Sequence, residues 1–211
     1  MTRRGRSIAL AVTCLLLAGC RGQTALSLTT TTTTNATDGE LISRLSIAPA
    51  GAITGYDRLM FEPHGWADAN RDGCDTRAEV LIRDSRVRVT KTKGCTVTAG
   101  DWVSLYDNYS TPDPTELDID HVVALGEAWR SGAKAWAPEH RLEFGQDLDN
   151  LLEVTAAMNR SKGDRDPAVW QPPNRAGWCA FSRRWVKVKV KWHLTADANE
   201  VRVLKIMLGT C

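Results

Sequence analysis

The chain predicts an α+β fold: a single domain around two short strands and the helix that follows them, with further helices, a small hairpin and two disulfides added. Three observations predict it. Residues 118–167 read as strand, long excursion, strand and short helix; four cysteines, Cys74, Cys95, Cys179 and Cys211, follow a leader-like N-terminus; and the tail from Trp178 carries apolar side chains at helical spacing.

The leader comes first. Arg3, Arg4 and Arg6 form a basic opening, residues 8–18 an apolar run too short for a span of ~20 residues, and Leu17-Ala18-Gly19-Cys20 a lipoprotein signal-peptidase site. Residues 1–19 are expected to be removed, leaving a mature chain that begins at Cys20 and is held by an acyl chain on the extracellular face of the membrane. The leader takes three arginines and no acid with it, which turns a formal charge of +2 into −1. Net charge therefore says nothing about a polyanionic partner, and local charge has to carry that case. Residues 20–44 are expected to be the lipidated cysteine and a flexible tether, because residues 23–40 include six consecutive threonines at 29–34 and almost no large apolar side chain apart from Leu26 and Leu28. Residues 45–211 suffice for one compact domain and contain no internal repeat.

Within that domain, Asp68, Asn70, Asp72 and Glu79 satisfy the D-x-N-x-D-G-x5-E calcium-loop pattern. Its flanks are poor, because Glu62-Pro63-His64-Gly65 breaks an entering helix and Cys74 is expected in a disulfide. The competing reading is a turn capping a helix over Thr76–Asp84. Alternating residues 86–90 and 96–98, punctuated by Lys93-Gly94, predict a hairpin stapled at Cys95. The alternation Asp118-Ile119-Asp120-His121-Val122-Val123 predicts a strand with both aspartates on one face and His121 on the other. A helix over 123–132 follows; Trp129 and Trp136 are expected in the core rather than stacked on bases. Leu151–Thr155 is a compact apolar run after the turn signal Asp149-Asn150, and Ala156–Lys162 favours helix until Gly163 and Pro167 stop it.

The four mature cysteines are an even number in an exported chain, so two disulfides are expected. Of three connectivities, the sequential one, Cys74–Cys95 with Cys179–Cys211, closes two modest loops and is preferred. No Cys-x-x-Cys knuckle is present, which disfavours zinc.

The Asp120-His121 pair, the Asp149-Asn150 before an apolar strand and the Asn159-Arg160-x-Lys162-Gly163 ending together resemble the ββα-metal motif of HNH nucleases, in the variant whose third signature residue is Asn. Similar motifs occur in the HNH domain of CRISPR effector nucleases and in the C-terminal domain of modification-dependent restriction enzymes. From about Tyr56 to Cys211 the chain resembles a group of secreted actinobacterial HNH endonuclease family proteins. The resemblance implies that His121 is the general base, that Asp120 and Asn159 are metal ligands, that Asn150 holds the loop orienting His121, and that Lys162 meets a phosphate. It also implies a phosphate clamp at Arg77, since a similar Cys-Asp-Thr-Arg run precedes the corresponding helix; the competing reading is a surface Arg paired with Glu79 or Asp75.

The chemistry asks for these residue types independently. A phosphodiester repels nucleophiles, so a hard divalent cation on oxygen ligands must neutralise the charge that builds on the leaving oxygen. A neutral imidazole takes a proton from water near neutral pH. Residues 178–211 carry Arg183, Arg184, Lys187, Lys189 and Lys191; alternating valines look strand-like, while Trp185, Val188 and Trp192 fit a helical stripe, and the resembling proteins favour helix. Asp197 would cap a last helix. With Arg160, these cations would hold phosphates without reading sequence, unless they are simply a solvated face. The implied function is an extracellular endonuclease of low sequence specificity acting on DNA with one Mg²⁺ or Mn²⁺, with no protein partner; the alternative is a non-catalytic lipoprotein using the scaffold as a binding module.

Overall fold

The structure, a computed structural model, describes residues 37–211; the leader, Cys20 and the threonine run lie outside the described residues. In chain order the elements are α1 (Asp38–Ser43), β1 (Ser46–Ile47), α2 (Thr76–Asp84), β2 (Thr90–Lys91), β3 (Val97–Ala99), β4 (Trp102–Val103), β5 (Ser110–Thr111) and β6 (Leu117–His121). There follow α3 (Leu125–Arg130), α4 (Pro138–Gly145), β7 (Leu151–Thr155), α5 (Ala156–Lys162), α6 (Trp178–Lys191), β8 (Thr195–Ala196) and α7 (Ala198–Leu208). The strands pair in twos, and the pair that positions the site is β6 with β7, antiparallel, with His121 opposite Leu151 and Asp120 opposite Leu152.

Strand alternation sorts the residues of that pair onto two faces. Leu117, Ile119 and Leu151 enter an apolar cluster with Val80 and Leu81 of α2, Val97, Trp102 and the Cys74–Cys95 disulfide. Asp75 caps α2 by accepting the Ala78 amide at 2.7 Å, and the Trp102 indole donates to the Leu81 carbonyl at 2.8 Å, so this cluster leaves few polar groups unpaired. On the other side Val154 joins the larger cluster, which gathers Trp129, Phe144, Phe181, Trp185, Leu204 and Met207. The chemistry-bearing strands are thereby held between two packed layers.

Helix α6 buries Phe181, Trp185, Val186 and Val188 along one stripe, and α7 is capped by Asp197, which accepts the Asn199 and Glu200 amides. The Cys179–Cys211 bridge ties the start of α6 to the chain end. The tail is helical, as the stripe of Trp185, Val188 and Trp192 predicts, and the sequential disulfide connectivity is the observed one. Trp129 is buried and Trp136 packs against the core, in the structural role expected for both.

Two expectations are corrected. The tether does not extend to residue 44: Thr37 and Glu40 form a reciprocal capping box, α1 follows, and its Leu41 packs into the core beside α6 and α7. The hairpin is shorter than its alternating pattern, since residues 86–89 make no strand and β2 comprises only Thr90–Lys91, with an irregular register against β3. Arg86 is drawn to the Asp101 carboxylate at 2.5 Å instead of continuing the ladder. Among the described residues, no helix is long and apolar enough to cross a membrane.

Candidate active site

A cleft of about 220 Å³ at the end of β6 is lined by Tyr56, Arg58, Asp120, His121, Asn159 and Asp164, among others. Asp120 sits on the strand face that meets α5 and is almost fully buried. Its carboxylate accepts from the Tyr106 hydroxyl at 2.7 Å and from Lys162 Nζ at 3.0 Å on Oδ1 and 2.9 Å on Oδ2. Burial pushes the Asp120 acid above its usual range, and the Lys162 charge with the two hydrogen bonds opposes that push. Asn159 lies one turn before Lys162 on α5; its Nδ2 donates to Asp118 Oδ2 at 3.1 Å, which leaves its amide oxygen as the end free to accept.

His121 closes the strand. Its ring stacks on Trp66, with centroids 5.6 Å apart and planes at 24°, and its Nε2 lies 2.9 Å from the Gly145 carbonyl oxygen. A carbonyl only accepts, so in the neutral ring Nε2 carries the proton and Nδ1 keeps the lone pair. Burial depresses the imidazole to about 3, the carbonyl contact pulling weakly the other way, so the ring is neutral near pH 7. Gly145 has to be glycine for this contact: a Cβ there would meet the Phe61 carbonyl oxygen at 2.5 Å. Asn150, fully buried, accepts the Val123 amide at 2.8 Å and donates to the Val123 carbonyl at 3.1 Å, fixing the chain just after His121.

The other expected residues are scattered. Lys162 is enclosed, donating to the His121 carbonyl at 2.8 Å as well as to Asp120, and cannot reach a phosphate from there; the turn of α5 that brings Asn159 to Asp118 also turns Lys162 onto the strand. Arg77 is not at the cleft either. It donates to the Pro114 and Leu117 carbonyls at 2.8 and 2.9 Å and lines a separate groove of about 450 Å³ beside Trp66, Asp75 and Cys95.

The Asp68 loop closes on its own backbone: Asp68 accepts the Asp72 and Gly73 amides, Asp72 accepts the Cys74 amide, and Asn70 bridges Asp72 and Glu79. These are contacts of a turn feeding α2. Among the described residues, no group of three or more His, Cys, Asp or Glu side chains is arranged to hold a metal ion.

The basic row on α6 divides. Arg184, Arg183, Lys187 and Lys191 border a groove of about 470 Å³ with Asp149, whereas Lys189 points inward and is fully buried between Glu127 and Glu200 at 2.9 and 2.7 Å. Lys189 is therefore not a phosphate contact. Arg183 pairs with Asp38, Lys191 with Asp147 and Asp149, and Arg184 donates to the Leu151 carbonyl, while Lys187 and Arg160 stand exposed.

Several site residues carry no motif in the sequence: Tyr106, Trp66, Glu62 and Arg58. Glu62 is buried, pairs with Arg58 at 2.5 Å and brings its other oxygen to 3.4 Å from His121 Nε2, where it has no hydrogen-bond partner. The one sequence signal for this pair is the i,i+4 spacing of an Arg and a Glu.

The family model described as GmrSD restriction endonucleases, C-terminal domain, matches residues 75–205. An "Uncharacterized secreted protein" of Arthroderma benhamiae is 41% identical over 173 residues, 81% of this chain and 83% of its own length. No solved structure matches.

Proposed function

The chain belongs to the family of GmrSD restriction endonuclease C-terminal domains, and from that premise we propose that it is a secreted, metal-dependent endonuclease that hydrolyses DNA phosphodiesters with low sequence specificity. The observation that carries this reading is one cleft lined by Asp120, His121 and Asn159, with the histidine's Nε2 committed to a carbonyl and its Nδ1 left as a base. The secreted relative and the two disulfides support an extracellular site of action. Acylation at Cys20 would keep the enzyme at the cell surface.

The donors fit a hard divalent cation such as Mg²⁺ or Mn²⁺. Asp120 uses three of its roughly four lone-pair directions on Tyr106 and Lys162, and Asn159 presents an amide oxygen beside it. When bound, the cation supplies neutralisation of the phosphate and leaving-oxygen charge. The protein's own part is positional. Lys162 and Tyr106 fix Asp120, Asp118 fixes Asn159, and Asn150 with Gly145 fixes His121.

His121 Nδ1 takes the proton of a water as the water oxygen bonds to phosphorus; the ester P–O bond breaks with its electron pair going to the leaving oxygen, which takes a proton from solvent. Burial makes the resulting imidazolium costly, and the Glu62 carboxylate, 3.4 Å from Nε2, is the anion placed to offset it.

Plasmid nicking by the purified protein, with and without EDTA, tests the reading. Metal-dependent nicking by the wild type, lost in a folded His121→Ala variant, is expected. Cleavage that survives in that variant would move the base elsewhere, and no cleavage under any divalent ion would leave a binding module.

A further inference from the structure

Apart from a cation that Asp120 and Asn159 would hold, the cleft has little positive charge of its own. Its lining includes the carboxylates of Asp120 and Asp164 and a neutral His121, and a phosphodiester attacked there becomes more negative as the water bonds. Lys162, the nearest lysine, is enclosed and already spent on Asp120. Among the described residues that line the cleft, one is cationic, Arg58.

Arg58 opens a single 3-10 turn, Arg58–Met60, which Asp57 caps by accepting the Leu59 amide. The Phe61 and Glu62 amides both return to the Arg58 carbonyl, at 2.9 and 3.1 Å, which fixes the two side chains on one side of the turn. One guanidinium nitrogen pairs with Glu62 Oε2 at 2.5 Å; the Arg58 side chain is nevertheless 60% exposed, and Glu62 only 4%. Of the five N–H donors on a guanidinium, those not on Glu62 make no hydrogen bond to another described residue. An anchored, half-committed guanidinium facing a reactive centre is the geometry that receives a phosphate through two parallel N–H donors.

We propose that Arg58, anchored by the buried Glu62, is the cationic group that contacts the scissile phosphate and stabilises its charge in the transition state, the role that Arg77 cannot fill from its place on the Pro114 and Leu117 carbonyls. Arg58 lies before residues 75–205, outside the span that the family model covers. The inference rests on the nuclease reading above and adds a catalytic residue to it.

The test is a double-mutant cycle read by single-turnover cleavage of a labelled DNA duplex at saturating enzyme, with thermal melts to verify folding. R58A is expected to slow cleavage by about 10²–10³-fold, the loss typical of removing one donor to a developing anion, and R58K to fall between, since an ammonium keeps the charge but not the fork. The decisive comparison is R58A/E62Q against E62Q. If Arg58 meets the phosphate, the double variant falls below E62Q by about the same factor as R58A below wild type. If Arg58 only neutralises the buried Glu62, the double variant cleaves as E62Q does, and the proposal is overturned. It is overturned equally by R58A cleaving at the wild-type rate. Wild-type protein that cleaves nothing sinks the nuclease reading itself, whereas active wild type with an unaffected R58A sinks only the role of Arg58.

Discussion

Lys162 and Asp120 form an enclosed ion pair, Nζ lying 3.0 and 2.9 Å from the two carboxylate oxygens, with the lysine side chain fully buried and the aspartate 5% exposed. The pair joins α5 to β6 directly behind the cleft, so the same contact that neutralises Asp120 sets the helix carrying Asn159. Removing the lysine alone leaves a buried carboxylate without its cation. K162M is expected to lose about 3–5 kcal/mol of stability, with D120N/K162M recovering part of it; urea denaturation measures both. A K162M protein as stable as wild type would mean that solvent or another group reaches Asp120.

Gly145 is a second constrained position, where the backbone of Phe61 approaches closely. A methyl group at this position would sit 2.5 Å from the Phe61 carbonyl oxygen and 3.2 Å from Glu62 Cγ, so the backbone has to move, carrying with it the carbonyl that holds His121 Nε2. G145A is expected to cost about 1–3 kcal/mol and, because the base is misplaced, on the order of 10²-fold in cleavage rate. Comparable melting temperatures and rates in G145A and wild type would show that the carbonyl contact does not position the ring.

The buried network under α6 gives a pH signature. One cation, Lys189, faces two carboxylates, Glu127 and Glu200, and the Trp185 indole donates to Glu200 at 2.5 Å. One lysine charge offsets one carboxylate, and burial raises the Glu200 acid from its usual 4.5 to about 7, against the pull of Lys189. A folded-state value raised above the unfolded one means that the folded state holds the proton more tightly. The associated stability is complete below about 4.5 and is lost as pH rises through about 7. Wild type should therefore weaken between pH 5 and 7.5 by roughly 2–3 kcal/mol relative to E200Q, which stays neutral throughout. Parallel pH–stability curves for the two proteins would contradict this.

Much of the architecture was legible because it is local. Alternation at 118–123, the apolar run at 151–155, the turn capping α2 and the Gly163 stop after α5 each act within a few residues, and the observed elements follow them. Asp120, His121 and Asn159 line one cleft, but they meet only through the pairing of β6 with β7 and the packing of α5, not through local pattern. What the pattern does not carry is the fate of a charge whose partner is far along the chain. Lys189 reads as one more member of a basic row until folding brings Glu127 from 62 residues away, and Lys162 reads as a phosphate contact until β6 supplies Asp120, 42 residues before it. Glu153 is similar: inside an apparently apolar strand, it is buried against Asp84, and burial with that neighbouring acid pushes it up to about 9.

The last prediction concerns how nucleic acid is held. The mature chain is expected to be close to neutral, so binding has to rest on local cations, and the groove along α6 brings Arg183, Arg184, Lys187 and Lys191 together on one side. They are not equivalent. Arg183 and Lys191 already pair with Asp38 and with Asp147 and Asp149, so a phosphate would have to displace a carboxylate at each. Lys187 has no ion-pair partner among the described residues and stands exposed, which makes its counterions the ones most readily released. K187A should therefore flatten the dependence of log affinity on log salt by ~0.9 for duplex DNA, with little change in sequence preference. R183A should change it less. K189A should behave differently from both, losing stability because Glu127 and Glu200 are left facing each other, with no change in salt slope for the protein that remains folded. Fluorescence anisotropy across a salt series, with EDTA present to prevent cleavage, separates the three. An unchanged slope in K187A would leave the α6 groove as a solvated face and put the phosphate contacts elsewhere, with exposed Arg160 in the last turn of α5 the next position to test.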